Sequence, residues 1–228
     1  MNRRALLLAL AALPAWPAFA QSVDVSGIDR YLRGLRTAQG SFRQTNPNGS
    51  VQTGKLWLSR PGRVRFEYDA PKGAMVIADG TNVAVFDPKS TRVSSRYPLG
   101  RTPLALLLDA NLTLAQPGLV RGAVRTAQGV DITVVDPRSP NEGRLVMTFS
   151  ENPVALRGWT TATKAGQRTT VALTGLKTGG AVDRGLFNIE MAEIKETWSC
   201  LAPKASARAS RYSAAAGLPE RIIGSTRP

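Results

Sequence analysis

The sequence predicts a mainly β, α+β fold: an unclosed antiparallel β-barrel, or strongly curved sheet, of about eleven strands, covered by a helical lid. Three observations predict it. Short runs of alternating apolar and polar residues recur along the chain. Tight-turn signals separate them, among them Pro61-Gly62, Asp79-Gly80 and Asn152-Pro153. Two segments with helical spacing, Val25–Thr37 and Thr102–Ala110, interrupt the strands. A curved sheet has one concave apolar face, and helices with apolar stripes are its natural cover; on residues alone, an ordinary α+β domain whose helices pack on a filled sheet fits equally well.

Residues 1–20 read as an export signal. Arg3 and Arg4 precede the apolar run Ala5–Leu13, which is too short to span a bilayer, and Ala18-Phe19-Ala20 offers a cleavage site before Gln21. No cysteine follows that site to carry an acyl anchor. One domain is then expected over residues 21–200, with a basic tail, residues 201–228, that lacks periodicity.

Within the domain, Ile28, Leu32 and Leu35 lie at helical spacing with Tyr31 beside them, so Val25–Thr37 is an amphipathic helix with Ser26 as N-cap and Gly40 as stop. Ser41–Thr45 is a first strand, and Asn46–Ser50 turns into Val51–Ser59. Alternation then places Leu56, Leu58 and Arg60 on one face of that strand, and Val64, Phe66 and Tyr68 on one face of the next. Arg60 thus points where leucines point, and an arginine there needs a partner or a role. Ala74–Ala78 and Asn82–Phe86 form a hairpin, and Thr91–Arg96 is a further strand. Thr102–Ala110 is a leucine-rich helix with Pro103 in its first turn, and Leu112–Leu119 adds a shorter helical turn. Gly129–Val135, Arg144–Phe149, Leu156–Ala162 and Gln167–Leu176 complete the strands, with Phe187-Asn188-Ile189 as the closing element.

Composition excludes several functions. The chain of 228 residues has no histidine, which removes Ser-His-Asp and Cys-His catalysis and the commonest metal ligand. One cysteine, Cys200, excludes an internal disulfide. The net charge of +14 is dispersed over strands and loops without a run or motif, so no nucleic-acid partner is expected. No catalytic residue, metal site or cofactor is predicted. Parity and apolarity nominate Leu56, Leu58, Val64, Phe66, Val76, Phe86, Leu104, Leu107, Met147 and Phe149 as lining of an apolar cavity. Plain core filling fits each of them as well.

From Gly40 to Asn111 the segments GSFRQT, GKLWLSRPGRVRFEYDAPKG, IADGTNVAVFDP and LGRTPLALLLD resemble, in order and spacing, the LolA family of periplasmic outer-membrane lipoprotein carriers. The shared features are Phe42 and Gln44, arginine-proline after a strand, the aspartate-glycine hairpin and the leucine-rich helix. The resemblance implies an eleven-stranded unclosed barrel with a helical lid over an apolar cavity. It implies a monomeric periplasmic chaperone that binds the acyl chains of lipoproteins. The cargo would come from an inner-membrane lipoprotein-releasing ABC transporter and pass to an outer-membrane acceptor. It also implies that Arg60 is a latch, hydrogen-bonded from the sheet to the backbone of the lid and stabilising the closed, empty form. On residues alone, Arg60 could equally be a rim arginine reaching water or a loop carboxylate. Two features depart from the family pattern: the strand after arginine-proline carries Val64 before Phe66, and the tail is long. A regulatory domain of the same barrel type, sensing lipid or lipoprotein, is the alternative function.

Overall fold

The computed structural model describes residues 24–90 and 94–197. Eleven strands form one antiparallel sheet: β1 (Thr37–Thr45), β2 (Val51–Ser59), β3 (Arg63–Tyr68), β4 (Met75–Asp79), β5 (Asn82–Phe86), β6 (Ser95–Pro98), β7 (Val120–Thr126), β8 (Gly129–Val134), β9 (Arg144–Glu151), β10 (Val154–Ala162) and β11 (Arg168–Thr178). Their spatial order is β6-β5-β4-β3-β2-β1-β11-β10-β9-β8-β7. The β1–β11 pairing joins the two halves of the chain, while β6 and β7 remain edges, so the sheet is not closed. Helix α1 (Ser26–Gly34) precedes the sheet, and α2 (Leu104–Leu108) lies in the crossing from one edge strand to the other. A third helix, α3, occupies residues 189–197.

Each face of the sheet has its own core. Inside the curve, Phe42, Leu56, Leu58, Val64, Phe66 and Ala78 of one half meet Ile132, Leu145, Met147, Phe149 and Trp159 of the other, with leucines of the helices between them. Outside it, Met75, Ile77, Ala84 and Phe86 of β4 and β5 pack against Ile189 and Ala192 of α3. β4 and β5 are therefore covered on both sides, which explains their near-continuous apolar sequence.

Several boundaries differ from the sequence reading, each for a physical reason. Helix α1 ends at Gly34 and β1 begins at Thr37. Gly40 is thus no helix stop. It lies at an irregularity in the β1–β11 register, where a Cβ would come within 3.1 Å of the Leu176 backbone. Val25 occupies the N-cap position, and Ser26 instead bonds back to Asp24 through its backbone N–H at 2.9 Å. The 112–119 segment is a chain of turns, with Gln116 N–H to Thr113 O and Leu119 N–H to Gln116 O both at 3.2 Å. The strand expected at Thr91–Arg96 is β6, shifted to Ser95–Pro98, and residues 91–93 lie outside the described residues.

Two elements were not predicted. β7 is an edge strand with Arg121 and Val124 exposed, so no apolar alternation marks it. At the closing element, Phe187 ends a 3₁₀ turn and Ile189 starts α3. The Asn188 side chain caps that start by accepting from the Met191 N–H at 2.9 Å. The export signal at 1–20, the tail at 201–228 and Cys200 lie outside the described residues.

Candidate functional site

The inner face is covered by α1, α2 and the 109–119 segment. Ile28, Leu32 and Leu35 of α1 are buried there, as are Leu106, Leu107, Leu108, Leu112, Leu114 and Leu119. Of the residues nominated as cavity lining, Leu56, Leu58, Val64, Phe66, Leu107, Met147 and Phe149 lie in this inner core, with Val76 and Leu104 partly buried against it. Phe86 does not. It packs on the outer face with Met75 and Ile189, because Val76 pairs with Val85 and so shares its face with that residue.

In this conformation the inner face is filled rather than hollow. The cover supplies the filling, since Leu107 and Leu108 are 0% and 1% exposed. A concavity of about 750 Å³ lies elsewhere, between β3–β4 and α3, and is lined by Arg65, Lys72, Met75, Asp183, Met191 and Glu196. Leu186 and Ile194 also line it, so charged and apolar side chains share this surface, unlike the inner face.

Aromatic packing stiffens the wall. Phe42 meets Phe66 and Tyr68 edge-on, both with ring centroids 5.2 Å apart, and Phe66 reaches across to Trp159 at 6.2 Å. Gly54 makes this possible: it pairs with Phe42 and Tyr68, and a Cβ there would lie 2.8 Å from the Phe42 ring and 2.0 Å from the Glu67 carbonyl oxygen. On the cover side, Tyr31 of α1 docks edge-on against Phe149 at 6.1 Å.

The turn between β2 and β3 holds the cover at two points and the link from α1 to β1 at a third. The Arg60 guanidinium donates from Nη1 to the Leu32 carbonyl of α1 at 2.7 Å. The Arg60 backbone N–H donates to Arg36 O at 2.8 Å, and the Gly62 N–H to Leu108 O, the last residue of α2, at 2.9 Å. One turn therefore binds both helices at carbonyls of their C-terminal ends, Leu32 O, which also accepts from the Leu35 N–H at 3.2 Å, and Leu108 O. The positive φ of Gly62, 74°, lets the turn close there, where a Cβ would strike Gly80 Cα at 2.6 Å.

Arg60 is 6% exposed, and its Nε and Nη2 find no hydrogen-bond partner among the described residues. Burial lowers its pKa from the ordinary arginine range to about 10, with the Asp109 carboxylate opposing the shift and Arg36 adding to it. It remains a cation at neutral pH. The differential amounts to roughly 3 kcal/mol against the buried charged form, while a hydrogen bond from a charged donor returns about 1.5–3 kcal/mol. The bond to Leu32 thus offsets part of the cost of burying the charge.

A sequence profile described as outer membrane lipoprotein carrier protein LolA matches residues 33–190. The chain belongs to the LolA family. Curated relatives bear the name outer-membrane lipoprotein carrier protein. One from Chromohalobacter salexigens is 31% identical over 82% of this chain and 92% of its own length. Another from Bordetella pertussis is 31% identical over 65% of this chain and 70% of its own. A third, from Neisseria meningitidis serogroup C, is 26% identical over 79% and 89%. The matched span of this LolA-family chain runs from the end of α1 into α3, so it contains the whole sheet, α2 and the β2–β3 turn.

Three contributors escaped the sequence reading. Trp159 was missed because an irregularity between Leu156 and Gly158 shifts β10 out of strict alternation. Gly62 acts only through its backbone, which no residue type announces. Asp29, a buried acid in α1, was readable in principle: it sits between Ile28 and Leu32 on the apolar stripe.

Proposed function

We propose that this LolA-family chain is a periplasmic chaperone that shields the acyl chains of lipoproteins within its inner face and carries them toward the outer membrane. The observation that carries the reading is a largely apolar inner face covered by short leucine-rich segments and fastened by one turn. Burying an acyl chain yields about 0.8 kcal/mol per methylene, on the order of ten kcal/mol for one chain. Withdrawing the six leucines of 106–119 from the inner face costs about as much, at about 1.5–3 kcal/mol each. Cargo and cover are thus near-equal competitors for one surface, which is what reversible carriage requires. No bond is made or broken in this exchange.

Arg60 biases the competition. When cargo lifts the cover, Arg60 loses the Leu32 carbonyl and faces hydrocarbon instead, so its charge penalises the loaded state more than the empty one. Leu56, Leu58, Val64, Phe66, Val76, Leu104, Leu107, Met147 and Phe149 are the surfaces the acyl chain would meet. The export signal at residues 1–20 would deliver the chain to the periplasm. An inner-membrane lipoprotein-releasing ABC transporter would supply the cargo, and an outer-membrane lipoprotein acceptor would receive it. Native mass spectrometry of protein purified from the periplasm tests the reading. Co-purified acylated protein that mild detergent removes is expected; a chain that is always empty and takes up no apolar dye contradicts it.

A further inference from the structure

We propose that Asp29 is a second fastener, joining α1 to the 109–119 segment so that the cover moves as one piece. The proposal rests on reading these segments as a cover that lifts. Asp29 lies in the first turn of α1, where an acid would normally face water and favour the helix dipole. Here it is only 9% exposed. Its Oδ1 accepts from the Leu114 backbone N–H at 2.7 Å and from the Thr113 hydroxyl at 3.1 Å, across more than eighty residues of sequence. Its Oδ2 pairs with Arg33 Nη2, one turn along α1, at 3.1 Å. Both carboxylate oxygens are thus engaged, one within α1 and one across to the other segment.

The two fasteners do different work. The β2–β3 turn ties cover to sheet, through Arg60 and Gly62. Asp29 ties cover to cover, and none of its three partners lies on a strand. If only the turn existed, α1 could lift while the 109–119 leucines stayed in place. With Asp29, freeing α1 also pulls Leu114 and its neighbour Leu112 from the inner face. A full-length slot then opens in one step.

Amide hydrogen exchange on the empty protein tests this without any lipid, so its outcome is separate from that of the carrier reading. The Leu114 amide reports the Asp29 bond directly. The Leu35 amide, bonded to Tyr31 O at 3.0 Å, reports the end of α1. Asp29→Ala should speed Leu114 exchange roughly tenfold to a hundredfold, the range for a charge-assisted bond. Asp29→Asn keeps an accepting oxygen without the charge and should fall between wild type and Asp29→Ala, within about tenfold of wild type. Arg60→Leu should accelerate both amides by the same factor, whereas Arg60→Leu with Asp29→Ala should accelerate them by different factors. The proposal is overturned if Arg60→Leu frees Leu35 and leaves Leu114 protected. It is overturned equally if Asp29→Asn behaves like Asp29→Ala, which would assign the effect to the Arg33 pair. Should Asp29→Ala fail to fold, the Asp29→Asn and Arg60→Leu measurements decide alone.

Discussion

Arg60 and Gly54 show how single residues set this site. Gly54 is required by its neighbours, because the Phe42 ring and the Glu67 carbonyl occupy the space a side chain would need. Gly54→Ala should therefore destabilise the fold by about 1–3 kcal/mol, the usual range for overpacking, measured as a lower denaturant midpoint at unchanged slope. A midpoint equal to wild type would show that β2 and β3 can spread there. Arg60 was legible in the sequence as an oddity of parity, since strand alternation places it beside Leu56 and Leu58 whatever the fold. Its partner was not legible: Leu32 O is a backbone atom on another element, and no pattern of side chains encodes it. Phe86 shows the opposite failure. Parity and apolarity put Phe86 with Val76, but the register of β5 against β4 decides which set faces inward, and that depends on the turn.

At the scale of elements, strands with tight turns were readable and the connecting segments less so. β2 and β5 match their expected bounds because an Asn46–Ser50 turn and an aspartate-glycine turn fix their ends. The Leu112–Leu119 stretch misled because its leucines serve burial, which imitates helical spacing without helical bonds. Helix α3 adds an outer clasp. Glu193 accepts from Arg96 of β6 at 2.7 Å and 3.0 Å and from the Ser94 hydroxyl, so α3 is tied to an edge of the sheet. Those hydrogen bonds hold the Glu193 carboxyl below its ordinary pKa of 4.5. A depressed carboxylate contributes stability that is complete above the ordinary value and is lost as the pH falls through the folded one. Acidification below pH 4.5 should therefore loosen α3 from β6, seen as faster amide exchange in residues 189–197. Glu193→Gln should show that faster exchange already at pH 7, with no further acid step. An acid step that persists in the variant would assign it to another carboxylate.

For the whole molecule, the inner face of the sheet is completed by leucines of its own cover. On the proposed reading, hydrocarbon of similar burial energy would replace them in the loaded form, and the β2–β3 turn would tip the choice toward the empty one. The sequence carried the family and the curved sheet, because both are written in local patterns repeated along the chain. It left open whether the interior is hollow, because that depends on long-range packing of the 104–119 crossing. The most direct test of the account is release of a fluorescent acylated peptide from wild type and from Arg60→Leu, each loaded to the same extent, into acceptor vesicles. Leucine has no hydrogen bond to lose when cargo enters and no charge to set against hydrocarbon. The account predicts that the variant loads normally and releases roughly tenfold to a hundredfold more slowly. Equal release rates from the two proteins would contradict it.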